Sequence, residues 1–317
     1  MKAVTMKAVL PYDASPSIRA IIAAAPTATV DIVRLDEADR DGLLGELATA
    51  DVFLHVLAPV TADLMRRAPK LRLVQKIGIG VDTIDLAFAK QSGIAVCNMP
   101  GTNTAAVAEL ALGLMLACLR RIVPISNDLT GGGWSVRPEL LDGAGEIGQR
   151  CVGLIGYGAV ARRLATAVRA LGARVIAHDP MAGEADVEMV SLDRLLAEAD
   201  IVSLHVPLTP QTRALLDRDR IARMKPGTVI VNTARGPLID EAALVEALAS
   251  RHIAAAGLDV LAEEPPRGPN PLLASPHVVA TPHIAWMTDG TWRRSIAVIV
   301  ENCRRLAAGE PLLHRVV

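Results

Sequence analysis

The sequence predicts an α/β protein built from two doubly wound parallel-sheet domains. Three observations predict it. The chain has 317 residues, more than one hydrophobic core usually serves. Short β-branched runs alternate with amphipathic stretches along most of it, the pattern of parallel strands covered by helices on both faces. That alternation stops at one long apolar helix and then begins again.

In the first series, Lys7–Pro11, Val30–Leu35, Val52–Val56 and Leu73–Gly78 read as strands. Ser15–Ala24, Arg40–Ala48 and Ala62–Arg67 read as the helices between them, and the series ends near Asn98–Pro100. The long apolar helix runs from Asn103 to about Arg121, followed by a glycine-rich linker at Gly131–Gly133. The second series has strands at Cys151–Ile155, Arg174–His178, Ile201–His205, Thr228–Asn232, Ala255–Asp259 and Val278–Thr281. Its helices include Val160–Leu171 and Asp240–Leu248, and a last helix covers roughly Asp289–Ala307.

Composition narrows the function. Net charge is −1, from 33 basic and 34 acidic residues without long runs of either sign, so no nucleic-acid footprint is present. Cys97, Cys118, Cys151 and Cys303 are widely spaced, which argues against a disulfide framework or a metal site and for a reduced, cytoplasmic chain. The start, MKAVTMKAVLPYDAS, lacks the apolar run of a signal peptide; its repeated MKAV reads as two alternative starts. The apolar stretch Ala105–Leu119 contains Glu109 and is too short to span a membrane. With only 2% aromatic residues, the core must be built from Ala, Val, Leu and Ile.

The segment CVGLIGYGAVARRLATAVRALGARVIAHD carries Gly156-x-Gly158-x-x-Ala161. Glycines often mark ordinary turns, but here an apolar strand precedes the motif and an amphipathic helix follows it. A second strand then ends in Asp179, about twenty residues on. Gly156 permits the tight turn, Gly158 lets the backbone approach a pyrophosphate, and Ala161 allows close helix–strand packing. Gly156, Tyr157, Gly158, Ala159 and Val160 are thus the expected dinucleotide contacts, on amides at a helix N-terminus. Asp179 would accept hydrogen bonds from ribose hydroxyls and repel a 2′-phosphate, which favours NAD over NADP. The plainer readings are a ligand-free turn and a solvated loop acid.

Three later segments each place a polar residue just after an apolar strand: VIVNTARGPLIDEAAL with Arg235, GLDVLAEEPP with Glu264, and ATPHIAWMT with His283. Hydride transfer to a ketone needs a cation that orients a carboxylate and polarises the carbonyl. The planar fork of Arg suits this. It also needs a proton donor that titrates near neutrality, which is the work of His. A neighbouring carboxylate would orient that His and stabilise its imidazolium. Taken singly, these residues read as a surface Arg, solvated acids (Glu263 included) and a structural His; the combination behind a dinucleotide motif reads as a catalytic set.

With these motifs in order, the chain resembles the D-isomer-specific 2-hydroxyacid dehydrogenase family. The resemblance runs from KIGIGVDTID through LIGYGAVA, HVPLTPQT, VNTARGPLIDEAAL, GLDVLAEEP and TPHIAW, nearly the whole chain. It implies Arg235 as the substrate anchor, His283 as acid/base and Glu264, the glutamate that precedes Pro265, as its partner. It further implies that the backbone at Ile79 and Gly80 cradles the substrate carboxylate in a cleft between domains, with a simple turn as the plainer reading. Cofactor contacts are implied at Val206, Pro207, Thr212, Thr233, Ala234, Arg235 and Asp259. Val107 stands equally as a contact near the nicotinamide and as helix core.

The expected architecture is a flavodoxin-like substrate domain over residues 1–101, completed by 287–317, and a Rossmann-type NAD domain over 102–286. A homodimer paired through the NAD domain is implied. The expected reaction is NADH-linked reduction of a small 2-oxo acid, of the glyoxylate, hydroxypyruvate or pyruvate kind, to the 2-hydroxy acid, D-configured where chiral. Glu264 argues against formate oxidation, where the family carries Gln. In the loop HVLAPVTAD, Leu57 and Ala58 stand where a phosphate-binding loop would be polar, which argues against a phosphorylated substrate. Phosphoglycerate oxidation and an NAD-sensing interaction protein on the same fold are the alternatives. Trp286 departs from the small residue common in several branches, and either narrows the pocket or fills a hydrophobic contact between domains.

Overall fold

In the computed structural model, which describes residues 5–130, 134 and 137–317, each β-branched run becomes a parallel strand. The first MKAV copy and the Gly131–Gly133 linker lie outside the described residues. The chain divides into two units, Met1–Asn103 with Trp286–Val317, and Thr104–Ala285.

The first unit runs β1 (Met6–Pro11), α1 (Pro16–Ala23), β2 (Val30–Leu35), α2 (Arg40–Leu47), β3 (Val52–His55), α3 (Ala62–Arg66), β4 (Leu73–Lys76), α4 (Leu86–Gln91) and β5 (Ala95–Cys97). Its five strands lie in the order β2-β1-β3-β4-β5, all parallel, which is the flavodoxin-like order. Alternation divides the core: Ala8, Leu10, Val52, Leu54 and Leu73 bury on one face, and Val9, Phe53, Val74 and Val96 on the other.

The second unit opens with α5 (Thr104–Leu119), α6 (Ile122–Thr130) and α7 (Pro138–Leu141). It continues through β6 (Cys151–Ile155), α8 (Ala159–Ala170), β7 (Arg174–His178), β8 (Glu188–Met189), α9 (Leu192–Glu198) and β9 (Ile201–Leu204). It closes with α10 (Arg218–Ala222), β10 (Thr228–Asn232), α11 (Glu241–Ala249), β11 (Ile253–Leu258), α12 (Pro271–Ala274) and β12 (Val278–Ala280). The seven-stranded order β12-β11-β10-β9-β6-β7-β8 reverses direction between β6 and β9, the switch point where Rossmann sheets gather ligands. Glycines let helices close on this sheet: a Cβ at Gly153 would meet Leu195 at 2.7 Å, and one at Gly257 would meet Leu114 at 2.8 Å.

The last helix, α13 (Asp289–Ala308), belongs to the first unit. Buried Asn302 fixes it there, donating to Gln75 Oε1 at 2.6 Å while its own Oδ1 accepts from Leu313 N at 2.8 Å. Trp286 is buried in the core of this unit. Its ring packs 5.6 Å from Trp292, which in turn lies 5.1 Å from Tyr12.

The sequence reading differs from the structure where elements are short. Strands β5 and β8, of three and two residues, were not expected, because neither shows a readable period. The strand expected over Leu73–Gly78 stops at Lys76, since Gly78 takes φ 125°, outside the extended range. Helices α4, α9, α10 and α12 span only four to seven residues, too few turns for an amphipathic signal.

Candidate active site

The dinucleotide motif takes the form its glycines require. Gly156 turns the chain at φ 91°, and a Cβ there would meet the His205 carbonyl oxygen at 2.6 Å. The two loops flanking the switch point, after β6 and β9, therefore touch through a glycine and nothing larger. Ser15, Asp39, Thr61, Asp85, Ser191, Asp217 and Asp240 cap the helices that follow them with side-chain oxygens. Gly158, the N-cap of α8, offers none, and space above it is open. The amides of Ala159 and Val160 and the positive end of the helix are thus left for an anion. A pyrophosphate fits this cradle.

The other residues expected to contact the cofactor play more varied parts. The Asp179 carboxylate stands at the end of β7, where Oδ2 accepts from Tyr157 N and Oδ1 from Met181 N, both at 2.8 Å. It shapes the glycine turn as well as standing ready for a hydroxyl. The Tyr157 ring is buried under the Arg162 guanidinium, and its hydroxyl donates to Asp186 Oδ1 at 2.5 Å. Burial first, then the Asp186 hydrogen bond, pushes that phenol up to about 12. Val206 and Pro207 follow β9, and Thr212 ties their loop by donating to the Pro207 carbonyl at 2.7 Å. Val107 is buried on α5.

The turn after β10 carries Thr233, Ala234 and Arg235. Buried Asn232 shapes it, accepting from Ala234 N at 3.0 Å and donating to the Arg235 carbonyl at 2.8 Å. A Cβ at Gly236 would lie 1.9 Å from the Leu261 carbonyl carbon, so only glycine lets this turn meet the segment that leads to Glu264. Glu264 Oε1 accepts from Leu261 N at 2.8 Å, and Oε2 lies 2.6 Å from His283 Nδ1. Burial opposes ionisation of Glu264. The bond and charge of His283, the Leu261 amide and the Arg235 charge outweigh it and hold the carboxyl below its usual range.

His283 stands in the left-handed region at φ 56°, a conformation a non-glycine residue keeps only when its surroundings impose it. Asp259 imposes it. Its carbonyl accepts from His283 N at 2.7 Å; its buried carboxylate accepts from Thr281 Oγ1 at 2.6 Å and from the amides of Ile284 and Ala285 at 2.9 Å each. Burial raises the pKa of this carboxyl, and the hydrogen bonds only partly offset the rise. Asp259, expected as a cofactor contact, thus has its carboxylate engaged by the histidine loop.

Arg235, Glu264 and His283 share the second unit with every cofactor residue named from the sequence. Ile79 and Gly80 lie in the first unit, on the loop after β4; Ile79 is 45% exposed and its carbonyl accepts from Asn98 Nδ2 at 3.0 Å. Sequence reasoning missed Asn232, which shapes the Arg235 turn, and did not single out His205, whose carbonyl faces Gly156. Burial holds His205 largely neutral, at about 4, and its Nε2 has no hydrogen-bond partner among the described residues. The only signal for Asn232 was its place at the end of an apolar strand, one residue before the expected contacts.

Comparison with known proteins places the chain among relatives of one family. Residues 112–285 match the model of the D-isomer specific 2-hydroxyacid dehydrogenase, NAD binding domain. A hydroxypyruvate reductase of Thermotoga maritima is 43% identical over 275 residues, covering 85% of this chain and 89% of that protein. A D-3-phosphoglycerate dehydrogenase of Mycobacterium bovis is 39% identical over 287 residues, which are 89% of this chain but 54% of the relative. The chain thus spans about half the length of that dehydrogenase. Among solved structures, the TT0316 protein from Thermus thermophilus superposes with a TM-score of 0.87 at 35% identity, over 99% of this chain and 100% of the other. The chain belongs to the D-isomer-specific 2-hydroxyacid dehydrogenase family and is an NAD-dependent oxidoreductase.

Proposed function

We propose that this enzyme reduces a small, unphosphorylated 2-oxo acid of the hydroxypyruvate or glyoxylate kind to the 2-hydroxy acid, D-configured where chiral. The observation that carries the reading is the His283 Nδ1–Glu264 Oε2 contact of 2.6 Å, with the charge of Arg235 acting on the same carboxylate. NADH, when bound, supplies the hydride. With Nδ1 engaged by Glu264, Nε2 is the ring nitrogen that holds the proton for the developing alkoxide, and in the reverse direction it takes the proton from the hydroxy acid. Glu264 stays ionised, fixes the ring and stabilises the imidazolium. Arg235 grips the substrate carboxylate through its planar fork. The amides of Ile79 and Gly80 are proposed as further carboxylate donors. Gly156 to Val160, Asp179, Val206, Pro207, Thr212, Thr233, Ala234 and Val107 are proposed to hold the cofactor, with Asp259 acting through the His283 loop.

The absence of a phosphate from the substrate is supported by Leu57 and Ala58, an apolar pair exposed on the loop after β3. The hydroxypyruvate reductase relative, matched over most of its length, supports the same reading. A homodimer is proposed on α6, which buries no side chain, and on Trp134, 95% exposed. Four free, buried cysteines suit a cytoplasmic setting. Among the described residues no helix is long and apolar enough to cross a membrane.

The test follows NADH absorbance with glyoxylate, hydroxypyruvate, pyruvate, 2-oxobutyrate and phosphohydroxypyruvate, repeated with NADPH. Rapid oxidation with an unphosphorylated acid is expected. Turnover of the phosphorylated acid alone would overturn the reading of the Leu57–Ala58 loop.

A further inference from the structure

The N-terminal edge of the second sheet holds a cluster of charge that the reaction does not use. It lies at the opposite ends of β9, β10 and β11 from the catalytic loops, about 15 Å away for strands of this length. Arg121, Arg150 and Arg251, with Asp142 and Asp200, line a cavity of 40 Å³ there. Arg121 is 8% exposed, and among the described residues its guanidinium has no hydrogen bond or ion pair. The nearby acids offset this charge only in part, Asp142 acting on Arg121 and Asp200 on Arg150 without an ion pair to either among the described residues. Asp200 accepts from the Lys225 ammonium and from Cys151 N, while Asp142 is exposed and forms no ion pair among the described residues. Arg251 Nη1 sits 2.6 Å from His277 Nε2 instead of against a carboxylate. Burial, then the charges of Arg251 and Arg121, disfavours protonation of that imidazole, so it contributes no charge of its own. Burial of the Arg121 guanidinium, and then the approach of Arg251, a like charge, are costly, and the charge of exposed Asp142 offsets them only in part.

We infer that this cavity is an anion site that takes a compact oxyanion of phosphate size. The volume holds about three water-sized spheres, enough for a phosphate or sulfate group and too little for a nucleotide. Arg121 supplies the buried charge, and Arg251 and Arg150 supply further planar donors at the rim, the arrangement that binds tetrahedral oxyanions.

Calorimetric titration of inorganic phosphate into the full chain, saturated with NADH and held at constant ionic strength, tests this. Saturable binding at one site per chain is expected, with sulfate competing and acetate failing to compete. Affinity should fall roughly tenfold or more in Arg121→Met, the loss of one charge-assisted bond, and stay unchanged in Arg235→Gln. NADH binding shows that Arg121→Met is folded; should it fail, the more exposed Arg251→Gln carries the same test. No saturable binding at tens of millimolar phosphate, binding that survives both arginine changes, or binding lost in Arg235→Gln would overturn the proposal.

Discussion

The two units share an architecture and differ in what their strand ends hold. Both are parallel sheets with apolar side chains alternating to two faces. In the second unit, buried polar groups at the carboxyl ends of β10 and β11 reach back into the loops: Asn232 ties the Arg235 turn, and Asp259 ties the His283 loop. In the first unit a buried polar pair, Gln75 and Asn302, instead fastens a returning helix to the sheet. The lesson is that one layer plan serves chemistry or assembly according to where its few buried polar groups point.

The comparison breaks hardest at His283. His283→Gln is expected to lower kcat by about a thousandfold while NADH binding, measured by fluorescence titration, stays intact. Near-normal turnover would remove the second unit's claim to the proton transfer. Gly236→Ala comes next. Its Cβ would collide with the Leu261 backbone and displace the Arg235 turn, and a misplacement of this kind costs about a hundredfold in kcat/KM. A variant as active as the parent would show that the close approach does not hold the site.

The contrasting change is Asn302→Ala in the first unit. It strands the buried Gln75 and should cost about 1–3 kcal/mol of stability, read by denaturant or thermal unfolding, with NADH affinity unaltered. Loss of NADH affinity would blur the division of labour. The smallest effect concerns acid. Glu264 has a folded pKa below its ordinary value, so its contribution to stability is complete above that ordinary value and is lost as pH falls through the lowered one. Glu264→Gln should therefore flatten the decline in stability below about pH 4.5. An unchanged acid limb would mean that the His283–Glu264 contact contributes little to the fold.

Much of this was legible from local rules. Gly156 and Gly158, the apolar strand before them and Asp179 after them announced the dinucleotide-type turn, because each constraint there acts among residues near in sequence. Arg235, Glu264 and His283 stood out because each follows an apolar strand, and the family resemblance gave them roles and chose Glu264 over Glu263. Their contacts were not legible. That Nδ1 of His283 meets Glu264, nineteen positions away in sequence, depends on β11 and β12 lying side by side.

Periodicity and motif spacing, which are properties of neighbouring residues, carried the alternating plan and the dinucleotide motif, and the family resemblance carried the proposed roles of Arg235, Glu264 and His283. Long-range packing places Trp286 in a core beside Tyr12 and Trp292, sets the carboxylate of Asp259 to hold the histidine loop, and buries Arg121 without an ion pair among the described residues. Burial and hydrogen-bond partnership arise from segments distant in the chain. No local pattern encodes which of them will meet.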